Sequence, residues 1–392
     1  MLATVKNSAR LLIVAQLLLA LIYTLPLFST KLLTDSDFIS FYTGWSIVRN
    51  GDGARLYDAE LQRVYQAKLV GSEGAPFLPF INPPHAAIIF VPLAYLNPRS
   101  ASLIFLALDC LVGLWVLRRL WQLAADWTPS ARVLLITTFL GTEIFWYGLA
   151  TRTLTLVILA CLIEYYRLLK NRGEITSAWW IITAALKPQL ILLPALIPIT
   201  LRDWRLIIIA ASVGVLIALS ISMGLGLHIW SDYLRLLREV SLNGEAYGAS
   251  PLLMNNLRML LYRTLPSVAV LPLVYVALLA GMAATIWMWR TVRAFELKFA
   301  LTILLGLFLA PHLNYQDTLL AFLPAAIIYD WARLKSGSLV RIFQWLLPVV
   351  TLAPAVLIFS NYSRTLRWIW PLPVILILLG LSVVALAHDT KK

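Results

Sequence analysis

Long apolar runs separated by short polar connections make up most of the chain. They fall at roughly 11–28, 100–118, 132–148, 153–169, 206–225, 267–289, 298–311, 318–333, 340–359 and 368–387, and each is read as a membrane-crossing helix. Two shorter apolar segments, about 177–186 and 189–200, flank the tetrapeptide LKPQ. Proline removes a backbone donor and clashes with the preceding turn. The pair therefore predicts a broken hairpin with Lys187 and Pro188 at its apex. Such a break is tolerated at membrane depth only where protein or a wet cavity covers it. The expected fold is an all-α polytopic membrane protein with about 12 transmembrane helices, the broken pair included. It forms one domain over residues 1–392.

Two longer segments interrupt the alternation, at about 29–99 and about 227–266. In the first, FISFYTGWSIVRNG predicts an amphipathic helix with a glycine stop, and LYDAELQRVYQAKL predicts a second helix. NPPHAAIIFVPLAYLNP is apolar but short between its prolines, which suggests an interfacial or re-entrant helix rather than a span. No internal repeat and no separate soluble domain is visible.

Composition supports this picture. Hydrophobic residues are 60% and charged residues 13% of the chain, with a mean hydropathy of +0.82, where a soluble domain carries about 25% charge. The net charge of +13 does not point to nucleic acid, because Lys and Arg gather in short connections between apolar runs. That is the distribution of cytoplasmic loops, and it places both termini in the cytoplasm and the two long segments outside. Arg364 and Arg367 depart from the pattern. Cys110 and Cys161 lie inside apolar runs and suggest neither a disulfide framework nor a metal site. The N-terminal run has no clear cleavage site and is read as a retained first span. The expected location is the plasma membrane.

Polar residues not explained by loops fall at the outer helix ends of this topology. They are Asp35, Asp37, Asn82, His85, Arg152, Lys187, Asn255, Asn256, Arg258, His312, Tyr315 and Asp317. Ionisable groups at such depths are costly and mark functional sites. One or two carboxylates with several cationic donors suit transfer from a phosphate-linked substrate. A carboxylate takes the proton of an attacking hydroxyl, and cations stabilise charge developing on the departing phosphate. Aromatics beside the acids, Tyr42 among them, offer a surface for a sugar ring. Simpler readings stand beside these: Asp37 as a helix N-cap, Lys187 snorkelling outward, and Asn255, Asn256 and Arg258 organising a loop.

Several stretches, taken in order, resemble one family. DF with Tyr42 and then NGDGARLYD resembles the opening of glycosyltransferase family 87. NPPHAAIIFVPLAYL, ALKPQLILLPAL, GASPLLMNNLRMLL and APHLNYQDTLL resemble its later motifs. The chain departs from the family pattern at Asn82 and at Thr151–Arg152. The resemblance implies a C-type membrane glycosyltransferase with a polyprenyl-phosphate sugar donor, mannose being the expected sugar. It also implies inversion at the anomeric carbon and a glycolipid, glycan or protein acceptor. Asp37 matches the catalytic aspartate, with Asp35 in reserve, and His312 matches the histidine of the PH motif. Asp35, Tyr42, His85, Arg152, Lys187, Asn255, Asn256, Arg258, Tyr315 and Asp317 are the expected substrate-binding set. No cofactor and no essential metal are expected. A transporter or flippase for a lipid-linked sugar is the competing reading, and a same-fold transferase using an arabinose lipid is another.

Overall fold

The computed structural model describes residues 2–28, 36–70, 77–171, 176–335, 342 and 370–389, with no strand among them. Helix α1 (Leu2–Thr24) opens the chain. The 29–99 segment carries α2 (Asp37–Arg49), α3 (Ala59–Val70) and α4 (Pro84–Ile89). Then come α5 (Pro98–Leu123), the pair α6 (Pro129–Gly141) and α7 (Glu143–Thr151), and α8 (Thr155–Lys170). A proline-cut region follows as α9 (Thr176–Ala184), α10 (Pro188–Ile191) and α11 (Ile197–Leu201), ahead of the long α12 (Trp204–Leu225). The 227–266 segment holds α13 (Ile229–Leu242) and α14 (Leu257–Thr264). The chain continues with α15 (Ser267–Thr291), α16 (Phe295–Leu309), α17 (Phe322–Lys335) and α18 (Pro371–Asp389).

Fewer helices meet the length of a membrane crossing than the apolar runs predict. Among the described residues four do so by length and composition: Arg10–Leu27, Pro98–Leu123, Trp204–Leu225 and Ser267–Thr291. The pair α6–α7, bent by 46°, makes a fifth if it acts as one span. Helices α8, α16 and α17 have 16, 15 and 14 residues, about 21–24 Å of helix against a ~30 Å hydrocarbon core. Both α8 and α16 are buried along most of their length. Their apolar sequences are those of interior helices, which are hydrophobic all round for the same reason that spans are. The predicted span at 340–359 lies outside the described residues.

The predicted hairpin around LKPQ is a series of short helical pieces. Pro188 and Pro194 each begin a new piece, Pro198 is the second residue of the next, and Lys187 occupies the N-cap position of α10. The 84–95 stretch is likewise no span: α4 has 6 residues and is followed by a 3-10 turn, Val91–Tyr95.

Helix α2 departs from the amphipathic expectation, since every residue from Phe38 to Ile47 is buried. Its rings pack on all sides. Phe41 stacks on Trp45 at 6.1 Å and on Phe105 of α5 at 6.3 Å, and Trp45 lies 5.4 Å from Phe90. Gly44 lets the chain pass close by, because a Cβ there would sit 2.7 Å from the Phe80 ring.

Polar contacts pin the helices at defined heights. Gln16 of α1 bonds Thr137 and Thr138 of α6 at 2.6 and 3.1 Å. Near the C-terminal end of α8, buried Glu164 pairs with Arg119 and with Arg167, and Lys170 meets Glu296 at 3.1 Å. The opposite end of α8, about 22 Å away from Lys170 at 1.5 Å per residue, begins at Thr155 and borders the candidate site.

Candidate active site

A cavity of about 270 Å³ lies where α2, the 77–82 segment, α7, the Lys187 break, the 247–254 loop and the 312–316 turn meet. Small-molecule sites run from about 300 to 1,000 Å³, so this volume suits a headgroup rather than a long chain. Asp37, Lys187 and His312 all line it, although they are far apart in sequence.

Asp37 is the first residue of α2, and the cap before it is Ser36, whose hydroxyl accepts from Phe38 N–H at 3.4 Å. The capping role anticipated for Asp37 therefore belongs to its neighbour, and the Asp37 carboxylate is turned to the cavity. Its Oδ2 accepts a 2.8 Å hydrogen bond from Gln316 Nε2. Burial raises its pKa above the ordinary carboxylate value; Lys187 opposes that shift and Asp317 adds to it. It is a carboxylate that holds a proton more readily than most.

Lys187 stands where the helix is interrupted, with its ammonium 2.7 Å from Asp317 Oδ1. Thr155 Oγ1 donates to the same oxygen at 2.6 Å, and Thr153 donates to Thr155 at 3.1 Å. Asp317 is fully buried and does not line the cavity, whereas Lys187 does. The acid thus stands behind the cation and fixes its position.

His312 follows Pro311 in the turn after α16. Its pKa is lowered to about 4, first by burial and then by the nearby charge of Arg258. At neutral pH it is an uncharged imidazole that can donate one N–H and accept at the other nitrogen. Tyr315 shares the cavity wall with Tyr147, their rings edge-to-face at 5.5 Å, and its hydroxyl donates to buried Glu143 at 3.1 Å.

The expected cluster of cations reduces to Lys187. Arg152, in a left-handed conformation with φ 54°, gives its guanidinium to the carbonyls of Leu149, Ala150 and Leu27 at 3.2, 2.6 and 2.8 Å. Arg258 bonds the carbonyls of Pro311 and Ser241 at 3.1 and 2.6 Å. Neither lines the cavity. Buried guanidinium groups must find acceptors, and the helix breaks and loop carbonyls supply them here.

Asn256 caps α14 and donates to the Ala310 carbonyl at 2.8 Å, so it clamps the turn that carries His312. Asn255 is buried beside it and does not line the cavity. Tyr42 packs against Phe38 and Trp45 and gives its hydroxyl to the Leu96 carbonyl at 2.6 Å, so it presents no face to a sugar. His85 engages the backbone of Ala185, just before the Lys187 break. Asp35 lies outside the described residues.

Several wall residues escape a search for charge. Gln62 and Gln66 of α3, four apart and so on one helix face, bond the backbone of Phe80 and Leu78 at 2.8 and 3.2 Å. They hold the 77–82 segment against α3, and Ser40 adds a 2.9 Å bond to the Pro79 carbonyl. Pro79, Ile81 and Asn82 then line the cavity. Gly248, at φ +67°, brings the 247–254 loop against this segment, where a Cβ would lie 2.7 Å from Leu78. Gln189 and Gln316 add side-chain amides.

No curated protein and no solved structure matches the chain. A sequence model of glycosyltransferase family 87 does match, over residues 80–311, more than half of the 392 residues. The matched stretch contains Lys187, Asn82 and the 247–254 loop; it begins after Asp37 and ends one residue before His312. With apolar helices long enough to cross a membrane and a polar cavity among them, the match is decisive: this chain belongs to glycosyltransferase family 87.

Proposed function

We propose that the protein transfers a sugar, mannose in the first instance, from a polyprenyl-phosphate donor to a hydroxyl of a glycolipid, glycan or protein. The reaction takes place at the outer face of the plasma membrane, with inversion at the anomeric carbon. The architecture is of the C-type, with about 12 helices at membrane depth and both termini cytoplasmic. The observation that carries this reading is the convergence of Asp37 and Lys187 on one cavity together with His312.

In this reading the acceptor oxygen attacks the anomeric carbon from the face opposite the phosphate, and its proton passes to the Asp37 carboxylate. The bond from that carbon to the phosphate oxygen breaks, and its electron pair stays on the departing polyprenyl phosphate. That phosphate goes from one negative charge towards two. Lys187, held by Asp317 at 2.7 Å, supplies the opposing charge where the increase occurs, and neutral His312 supplies an N–H. A carboxylate whose burial raises its pKa suits the base role, since it takes up a proton more readily than a solvated one.

The test is turnover by purified protein in detergent, where no transmembrane gradient exists. A panel of polyprenyl-phosphate sugars is offered with extracted glycolipids, and released polyprenyl phosphate and glycosylated product are both measured. Release with the mannosyl donor is the expected result. Turnover only with an arabinosyl donor would replace the sugar. Absence of transfer from every donor would overturn the reading.

A further inference from the structure

Gln316 and Asp317 are consecutive residues at the start of the 3-10 helix Gln316–Ala321, yet they serve opposite partners. Gln316 reaches Asp37 of α2, 279 positions away, at 2.8 Å. Asp317 reaches Lys187 at 2.7 Å and Thr155 at 2.6 Å. Successive residues of a 3-10 helix point about 120° apart, so one short turn serves the acid on one side and the cation on the other. Tyr315, just before it, donates to Glu143 at 3.1 Å, and the Thr318 hydroxyl returns to the Tyr315 carbonyl at 2.6 Å. The turn is therefore tied to α2, α7, α8 and the Lys187 break at once.

Gln316 is only 5% exposed, and it meets the Asp37 carboxylate at one oxygen, Oδ2. We propose that Gln316 is the positioning residue of the reaction: by holding Oδ2 it aims the other carboxylate oxygen of Asp37 at the acceptor hydroxyl. This rests on the reading of Asp37 as the base.

An amide suits the task better than either kind of charged group. A cation would neutralise the carboxylate and lower its basicity, and a second carboxylate would share its proton. The amide N–H donates without titrating. Its bond favours the ionised acid and so tempers the upward shift that burial imposes on Asp37. The other ionisable groups facing Asp37 are Lys187 and Asp317 near it, with His312, Tyr147, Tyr247 and Tyr315 on the cavity wall.

The experiment compares Gln316→Leu, Gln316→Glu and Asp37→Asn with wild type in pH profiles of kcat and KM, with thermal unfolding as the folding control. Gln316→Leu is expected to lower kcat at neutral pH about tenfold and to move the acid limb of the profile up by about one pH unit, leaving donor KM within about twofold. Gln316→Glu is expected to move the limb further up, since two neighbouring carboxylates cannot both ionise freely. Should Gln316→Leu fail to fold, the nearly isosteric Gln316→Glu decides alone. An unmoved acid limb in the folded variants, with Asp37→Asn inactive, overturns the role of Gln316 and leaves the base in place. An active Asp37→Asn overturns the base itself.

Discussion

Replacing Asp37 with asparagine separates chemistry from architecture. The helix N-cap is Ser36, not Asp37, so the substitution leaves capping intact. The asparagine Oδ1 can still accept the 2.8 Å bond that Gln316 Nε2 gives to Asp37. What is lost in stability is the attraction of the carboxylate to Lys187 and to the helix dipole, the latter about 0.3–1 kcal/mol. Against this, a charge that burial disfavours is removed. The two effects oppose each other and leave a net change within about 1 kcal/mol, a Tm shift of no more than about 2–4 °C. The effect on rate is of another order. A general base contributes about 10²–10⁴, or about 2.7–5.4 kcal/mol of barrier at 1.36 kcal/mol per decade. The assay pairs polyprenyl-phosphate release with thermal unfolding of the same preparation. A wild-type rate in Asp37→Asn refutes the reasoning. So does a lost rate accompanied by an equally large loss of thermal stability, because the acid would then be structural. In the wild type, activity should rise with pH as Asp37 loses its proton, with the midpoint above the ordinary 3.8 in the direction that burial dictates.

The ion pair behind the cavity gives an asymmetric prediction. Lys187→Met strands a fully buried Asp317 and should cost about 3–5 kcal/mol of stability. Asp317→Asn keeps an amide oxygen that can still accept from the buried Lys187 ammonium, and should cost about 1–3 kcal/mol. Thermal unfolding of both variants and of the double variant checks this; Asp317→Asn proving the worse of the two would contradict it. His312 provides a pH test. Its folded pKa of about 4 lies below its ordinary 6.5, so as pH falls the unfolded chain takes up this proton first. The stability associated with His312 is complete above pH 6.5 and declines between 6.5 and about 4. Tm measured from pH 7.5 to 5 should fall less in His312→Asn than in wild type, and equal slopes would show that the imidazole does not titrate this way.

Much of the helix inventory was legible in local sequence. The long apolar runs at α1, α5, α12 and α15 correspond to the helices of spanning length, and the prolines of the LKPQ region fall where the helix is cut. Periodicity is ambiguous where burial is complete. The runs that became α8 and α16 have the composition of spans but the length of interior helices, and an interior helix and a spanning one both lack a polar face. Helix α2 reads as amphipathic because it carries serine, threonine and tyrosine. Packed against aromatic rings on every side, it exposes none of them.

For the site, residue type and position along the chain identified Asp37, Lys187, His312 and Tyr315, all of which line the cavity. They did not separate Lys187 from Arg152 and Arg258, because all three are basic residues at helix ends. That distinction depends on acceptors brought by remote parts of the chain: Leu27 for Arg152, Ser241 and Pro311 for Arg258. Gln316 carries no charge, and only the packing of its turn against α2 brings it to Asp37.

The sequence by itself determined that this is a helical membrane protein, where its helices break, and which few ionisable groups lie at their ends, because hydrophobic length and proline chemistry act within a segment. Which of those groups face a shared cavity was decided only by tertiary structure. A buried polar side chain turns toward whatever partner the fold supplies, and that partner lies anywhere from 17 to 279 positions along the chain.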